Sequence, residues 1–197
     1  NDPETMARAA RLVEEKGFDR VDMNFGCPVR KVVVKGTGAA MLKDPPAVRR
    51  VMAAVRAAVK IPVSAKVRTG WTRRDETAVE IARMAEGEGL SHITVHGRPW
   101  QKTPGHPVDY ETLSRVKQAV TIPVIGNGGI FSAADALRMI DLTGVDGVML
   151  ARGAMGHPWL AREVRAAFDG VPCHPLSARE RVEGFRFHLD KILQYLP

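Results

Sequence analysis

The sequence predicts an α/β protein with a parallel sheet whose strands all run toward one site, and three observations carry that prediction. Five short, nearly continuous apolar runs alternate with segments whose apolar residues recur at helical spacing. Each run stops at polar or Gly-rich residues: Asn24-Phe25-Gly26-Cys27-Pro28, Arg68-Thr69-Gly70, His96-Gly97-Arg98, Asn127-Gly128-Gly129 and Ala151-Arg152-Gly153. One helix-to-strand junction is written twice, as Ala58-Val59-Lys60-Ile61-Pro62-Val63 and as Ala119-Val120-Thr121-Ile122-Pro123-Val124. Such strands imply a parallel sheet covered on both faces. An open doubly wound sheet and part of a (β/α)8 barrel both fit. The barrel is favoured because every strand end, and not one switch point, carries polar or glycine residues.

The elements follow in order. Met6, Ala9, Ala10 and Val13 mark a helix from Pro3 to Lys16, with Gly17 at its end. From Val21 a short apolar run alternating with acids ends abruptly at Gly26-Cys27-Pro28 and reads as a strand running into a tight loop that presents a thiol. Val32 to Val34 and the small-residue stretch Gly36-Thr37-Gly38-Ala39-Ala40 follow. Pro45 and Pro46 open a helix with Val48, Val51, Met52, Val55 and Val59 on one face, leading to a strand from Ile61 to Val67. A helix marked by Ala78, Ile81, Ala82 and Ala85 ends at Gly87 and Gly89, before a strand from His92 to Val95. Leu113, Val116 and Val120 mark the next helix, and Ile122 to Gly126 the next strand. Ser132 can cap a helix through Leu137 and Ile140, with Asp135 well placed at its positive end. Val145 to Leu150 is the last strand, and Trp159 to Phe168 its helix. Pro172 and Pro175 then break the chain, and Ala178 to Leu196 reads as an amphipathic helix with Val182, Phe185, Leu189, Ile192 and Leu196 on its apolar face. The expected division is 1–170 as the partial barrel and 171–197 as the start of a helical domain. The first residue is not Met and both ends lie within helical segments, so a longer parent protein is expected.

Composition narrows the function classes. The 197 residues are 45% apolar, enough for a core, and no apolar run is long enough to cross a bilayer. Two distant cysteines, Cys27 and Cys173, show neither metal-ligand spacing nor a disulfide framework, so no metal is expected and a reducing cytoplasm is the natural setting. The first residues are polar and form no secretory leader. The net charge is +7, and between Cys27 and Arg74 twelve basic residues face Asp44 alone. A region of one sign attracts polyanions, with nucleic acid the commonest partner.

Chemistry is expected at the strand ends. Cys27 sits where a strand stops, between Gly26 and Pro28 and beside Arg30, Lys31 and Lys35, which is an unusual place for a core cysteine. Lys66 lies amid Val63, Ala65 and Val67, where a charge costs free energy unless something polar or anionic faces it. His96 ends the next strand. Gly126-Asn127-Gly128-Gly129 and Arg152-Gly153 follow the last two strands, where barrels commonly hold a phosphate on backbone N–H groups.

These residues resemble the flavin-dependent tRNA-dihydrouridine synthases. The resemblance rests on Asp22-Met23-Asn24-Phe25-Gly26-Cys27-Pro28, Lys66-Val67-Arg68-Thr69-Gly70-Trp71, His96-Gly97-Arg98, Asn127-Gly128, and Arg152-Gly153 followed by Pro158-Trp159. It covers about three quarters of the chain in order. It implies an FMN-binding (β/α)8 barrel entered at the helix before the fourth strand, followed by a helical domain that helps to hold tRNA. The implied reaction is reduction of the C5–C6 double bond of a uridine in tRNA. Hydride passes from reduced FMN to C6, a proton passes from Cys27 to C5, and NADPH is the reductant. An unperturbed thiol, with a pKa of about 8.5, holds its proton at neutral pH and suits that part.

By the same resemblance Lys66 would sit by the flavin's pyrimidine edge and His96 would contact the flavin. Asn127, Gly128, Gly129, Ala151 and Arg152 would hold its phosphate. Asn24 would hydrogen-bond the target uracil, extruded from the tRNA fold, while Arg30, Lys31 and Arg98 would meet RNA. Arg30 and Lys31 are expected to face phosphates and not the sulfur. Three positions depart from the family pattern: Gly129 replaces an acid, Ala151 a glycine, and Pro99-Trp100 a Thr-Arg pair. Two other readings stand beside this one: an FMN barrel oxidoreductase acting on a small molecule, and an RNA-binding relative without the chemistry.

Overall fold

The structure is a computed structural model that describes residues 1–72, 75, 77–101 and 107–196. Arg73 and Arg74, the last two members of the basic run, lie outside the described residues. Five strands form one sheet: β1 (Val21–Asn24), β2 (Val63–Arg68), β3 (His92–His96), β4 (Val124–Asn127) and β5 (Gly147–Met149). All neighbours are parallel and the spatial order is the sequence order. A doubly wound sheet reverses its order at a switch point, so that alternative is ruled out.

Helices fill each crossover. They are α1 (Pro3–Glu15), the single turn α2 (Arg30–Val33), α3 (Pro45–Ala58), α4 (Thr77–Gly87), α5 (Tyr110–Ala119), α6 (Ala133–Thr143), α7 (Leu160–Phe168) and α8 (Ala178–Tyr195). From α3 to α7 each long helix packs on the next, and α1 packs on α3, which makes one layer. The expectation of cover on both faces is therefore corrected. Right-handed crossovers between sequential strands put every helix on the same side. The core lies between that layer and the sheet: Val63, Ala65, Val67, Ile93 and Val95 meet Val48, Met52, Ile81, Leu113 and Met139, all essentially inaccessible. Burying side chains of this size contributes about 1.5–3 kcal/mol each.

The other face carries the alternate residues. Asp22, Ser64 and His92 share one level. Asn24, Lys66, Thr94 and Ile125 form the next, and Arg68, His96, Asn127 and Met149 the last. Lys66 thus points away from Val63, Ala65 and Val67, and the polar half of the period-2 alternation belongs to this face.

The repeated junction has a physical cause. Glu14 of α1 accepts from the backbone N–H groups of Lys60 (2.7 Å) and Ile61 (3.0 Å). Glu86 of α4 does the same for Thr121 (2.6 Å) and Ile122 (3.2 Å) and takes the Thr121 hydroxyl as well. In each case a carboxylate closes the N–H groups left open where a helix gives way to a strand. Val32 and Val33 lie in α2, and the small-residue stretch runs into a 3-10 turn, Gly38–Lys43. Ser132 caps α6 as expected, accepting from Asp135 N–H.

The helix α8 begins with a capping box between Ser177 and Glu180. Val182, Phe185, Leu189, Ile192 and Leu196 are all exposed, and Gly184 sits against the Trp159 ring. Among the described residues no helix is long and apolar enough to cross a membrane.

Candidate active site

The loop after β1 is held on every side. Phe25 N–H donates to the Lys66 carbonyl (2.8 Å) and carries the ladder one residue past the strand. The Asn24 side-chain oxygen then accepts from Gly26 N–H (2.9 Å), a local turn that stops the strand. The Gly26 carbonyl takes Arg68 Nε (2.7 Å), and the Cys27 carbonyl takes Ala39 N–H (3.0 Å). Gly38, at φ +58°, lies so close beneath that a Cβ would stand 2.9 Å from the Cys27 carbonyl oxygen. The small-residue stretch is thus the seat of the thiol loop. Cys27 itself is half-buried, whereas Arg30 and Lys31 lie exposed on α2.

The cation beside the sulfur is Arg68. Its charge is opposed chiefly by burial, then favoured by Cys27 and opposed by Arg98. Its Nη1 also donates to the Pro99 carbonyl (3.2 Å), so one guanidinium ties the loops after β1 and β3. Lys66, one level below, is lowered from the ordinary lysine range mainly by burial, then by Arg68, with Asp22 acting against both. Pro99-Trp100 proves structural. The Trp100 ring stacks on Trp71 with centroids 3.9 Å apart and planes 9° apart, and Lys43 lies 3.8 Å over the Trp71 ring. Backbone bonds from Trp100 to Gly70 and from Gln101 to Trp71 join the loops after β3 and β2.

His96 and Asn127 stand side by side on β3 and β4. His96 Nδ1 is 2.8 Å from Asn127 Oδ1, and Asn127 Nδ2 donates to the Met149 carbonyl (2.7 Å). Burial pushes the His96 pKa down to about 4. The Asn127 hydrogen bond acts the other way, and Arg68, Lys66 and Arg98 reinforce the fall. The imidazole is therefore neutral at physiological pH.

Beside this pair the chain forms a small cleft lined by His96, Asn127, Gly128, Gly129, Ala151 and Arg152, together with Ile130 and Met149. Gly128 (φ +112°) and Gly129 (φ +70°) shape the turn after β4. A Cβ on Gly128 would press on the His96 ring at 3.0 Å, and one on Gly129 on Val108 at 2.8 Å. The Arg98 guanidinium lies alongside, with Nη1 at 3.6 Å and Nη2 at 3.8 Å from those two Cβ positions. A larger cavity of about 890 Å³ lies on the helical side between α3 and α4, with Trp71 at one end and charges of both signs around it. None of the strand-end residues Cys27, Lys66, His96 and Asn127 lines it.

The structure thus places Cys27, Asn24, Lys66, His96, Asn127, Gly128, Gly129, Ala151, Arg152 and Arg98 at the carboxyl ends of the strands. Arg30 and Lys31 stand apart on the outer turn α2. Sequence reasoning passed over Arg68, although its i, i+2 relation to Lys66 put both on one face. It also gave Gly38 and Ala39 no part in the site. Among the described residues no three His, Cys, Asp or Glu side chains are gathered to hold a metal ion.

A sequential run of βα units with a thiol, two half-buried cations, a neutral imidazole and a glycine-lined cleft at its strand ends defines an α/β protein of the barrel-like kind with a candidate site at one end of its sheet. Solved structures agree on the fold alone. The L-Ala-D/L-Glu epimerase from Bacillus subtilis matches 88% of this chain and 43% of its own, with a TM-score of 0.62 at 20% identity. A dihydrodipicolinate synthase from Acinetobacter baumannii matches 86% of this chain and 55% of its own, with a TM-score of 0.62 at 18% identity.

The family model described as dihydrouridine synthase (Dus) matches residues 1–197, and the chain belongs to that family. It is 41% identical to tRNA-dihydrouridine synthase B of Shewanella oneidensis over 97% of this chain and 60% of the relative. It is 42% identical to the protein of that name from Pseudomonas aeruginosa over 83% of this chain and 49% of the relative. The chain thus spans between half and three fifths of these two curated relatives.

Proposed function

We propose that the whole protein is a flavin-dependent tRNA-dihydrouridine synthase and that this chain supplies most of its catalytic site. The five strands are then consecutive members of a (β/α)8 barrel, residues 1–170, and 171–197 open a helical domain that helps to hold tRNA. The observation that carries the reading is that Arg68, which holds the Cys27 loop through the Gly26 carbonyl, shares the strand ends with Lys66 and His96, in a chain 41% identical to a tRNA-dihydrouridine synthase B over 97% of this chain.

FMN fits what the residues offer. Gly128 and Gly129, both at positive φ, turn the backbone beside the cleft after β4, and Arg98 and Arg152 bring positive charge to the same turn. Arg98 accordingly moves from the RNA contacts to the phosphate site. The Asn127 side-chain amide is held between His96 and Met149, and its backbone would serve the phosphate site. When bound there and reduced by NADPH, the flavin would supply the hydride. Lys66 and Arg68 hold positive charge where negative charge develops on the reacting rings. Cys27 holds the proton destined for C5, its loop fixed by Arg68 and Ala39. Asn24 meets the uracil as a donor through its NH2 group, its oxygen being turned toward Gly26 N–H. Arg30 and Lys31, exposed on α2, face RNA phosphates.

The test uses the purified full-length protein. It should carry a flavin spectrum and, with NADPH, form dihydrouridine in tRNA lacking the modification, while leaving free uridine monophosphate and dihydroorotate unchanged. A flavin-loaded protein that reduces a small substrate and ignores tRNA would overturn the reading.

A further inference from the structure

We infer that Asn127 is a positioning residue that locks His96 in its Nδ1–H tautomer, so that His96 meets its ligand as a hydrogen-bond acceptor through Nε2. The chain of inference starts from an atom that cannot change roles. The Met149 carbonyl on β5 only accepts, so the Asn127 group 2.7 Å from it is the amide NH2. The side-chain oxygen of Asn127 must then be the atom facing His96 at 2.8 Å. An amide oxygen only accepts as well, so His96 Nδ1 carries hydrogen. A neutral imidazole has one N–H, and His96 is neutral because it is buried among Lys66 and Arg68 on β2 and Arg98 beyond β3. Its Nε2 is left with a lone pair.

The packing leaves little freedom to escape this arrangement. Asn127 is 4% exposed, so if its amide turned over its oxygen would face the Met149 carbonyl, acceptor against acceptor, with no water to relieve it. Gly128 brings backbone against the Cε1–Nδ1 edge of the ring, close enough that even a methyl group would press on it. The backbone of β5 thereby sets the proton position on β3 through a single side chain on β4, and three adjacent strands must be in register for the lock to exist.

The consequence concerns ligand chemistry and rests on the function proposed above. A bare Nε2 rejects a phosphate oxygen or a carbonyl and takes an N–H or O–H donor. The imide N–H of a pyrimidine-type ring is such a donor, and both a flavin and a uracil carry one. His96 therefore reads the ring edge of its ligand and leaves the phosphate to Gly128, Gly129, Arg98 and Arg152.

The experiment is long-range 1H–15N correlation on full-length protein labelled with 15N-histidine, with the His96 signals assigned by their loss in His96→Gln. The expected spectrum has a protonated Nδ1 and an unprotonated Nε2, with no titration between pH 5.5 and 8. Asn127→Asp, which puts a carboxylate in the same place, is expected to bring His96 into that range as an imidazolium. Asn127→Ala is expected to mix the two tautomers. A protonated Nε2 in the unaltered protein would overturn the inference, and that reading needs no variant to fold. So would an Asn127→Ala protein with the tautomer unchanged.

Separate additions of FMN and of uridine monophosphate identify the donor, because the Nε2 resonance should move with one of them. FMN that binds while neither addition moves Nε2 would refute the acceptor role. Failure of FMN to bind at all counts against the flavin reading, while the ring's own spectrum still decides the tautomer.

Discussion

Replacing Gly38 by Ala asks whether the thiol loop depends on a close backbone approach that no sequence motif announces. Two costs combine. A non-glycine residue at φ +58° costs about 1–3 kcal/mol. The new methyl would also stand 2.9 Å from the Cys27 carbonyl oxygen, 2.9 Å from Val32 Cγ1 and 3.0 Å from Cys27 Cβ. The carbonyl is backbone and cannot swing away, so the overlap adds about 1–3 kcal/mol, typical of an overfilled core. The expected destabilisation is about 2–6 kcal/mol, a large part of a domain's total. Gly36→Ala is the control. Its φ of +70° is equally unsuited to alanine, but the nearest atom, Asn1 Nδ2, is 3.6 Å away. Urea unfolding of the two variants isolates the contact, and the rate of Cys27 reaction with a disulfide reagent reports the loop. The expected result is a lower midpoint for Gly38→Ala than for Gly36→Ala, together with an altered thiol rate. Stabilities within about 0.5 kcal/mol of each other, with an unchanged thiol rate, would refute the reasoning.

Other outcomes follow from the same contacts. Arg68→Lys removes the fork that joins Gly26 and Pro99. A hydrogen bond to a charged group contributes about 1.5 kcal/mol, so dihydrouridine formation should fall roughly tenfold, with FMN content retained when measured by absorbance. His96 binds its proton far less readily folded than unfolded. Its contribution to stability is therefore full above the unfolded value of 6.5 and is lost as pH falls through about 4. Unfolding midpoints across that range, compared with those of His96→Gln, should show the decline only where the histidine is present. Glu86 is held below the ordinary carboxylate value of 4.5, mainly by the Thr121 hydroxyl and then by its N–H. Glu86→Ala should lower the thermal midpoint at neutral pH and cease to matter once the pH has dropped below the folded-state value.

Much of this architecture was legible because it is periodic. Short apolar runs and helical spacing placed all five strands and the long helices between them, and the repeated Ile-Pro-Val junction proved to be one motif closed by Glu14 and by Glu86. The expected cover on both faces failed because the composition of a strand does not report strand order. The two sheet types differ in which neighbours a strand takes, and that is settled by crossovers far apart in the sequence. The strand-end residues were visible as types, but their partners were not. Nothing near Asn127 in the sequence points to Met149 or to His96, the two partners that hold its side-chain amide in the fold. Pro99-Trp100 was legible only as a departure from the family pattern, and in the fold Trp100 is half of a stacked pair with Trp71. Arg68 was within reach of sequence reasoning, two residues from Lys66 on one face, but its bond to Gly26 bridges two loops and exists only in three dimensions.

The most direct test of the central claim is the dihydrouridine content of tRNA from a strain of the source organism lacking the gene, complemented with the unaltered gene or with Cys27→Ala. The account predicts that specific dihydrouridine positions disappear on deletion, return with the unaltered gene and fail to return with Cys27→Ala. Full restoration by Cys27→Ala would remove the thiol from the reaction and contradict the account.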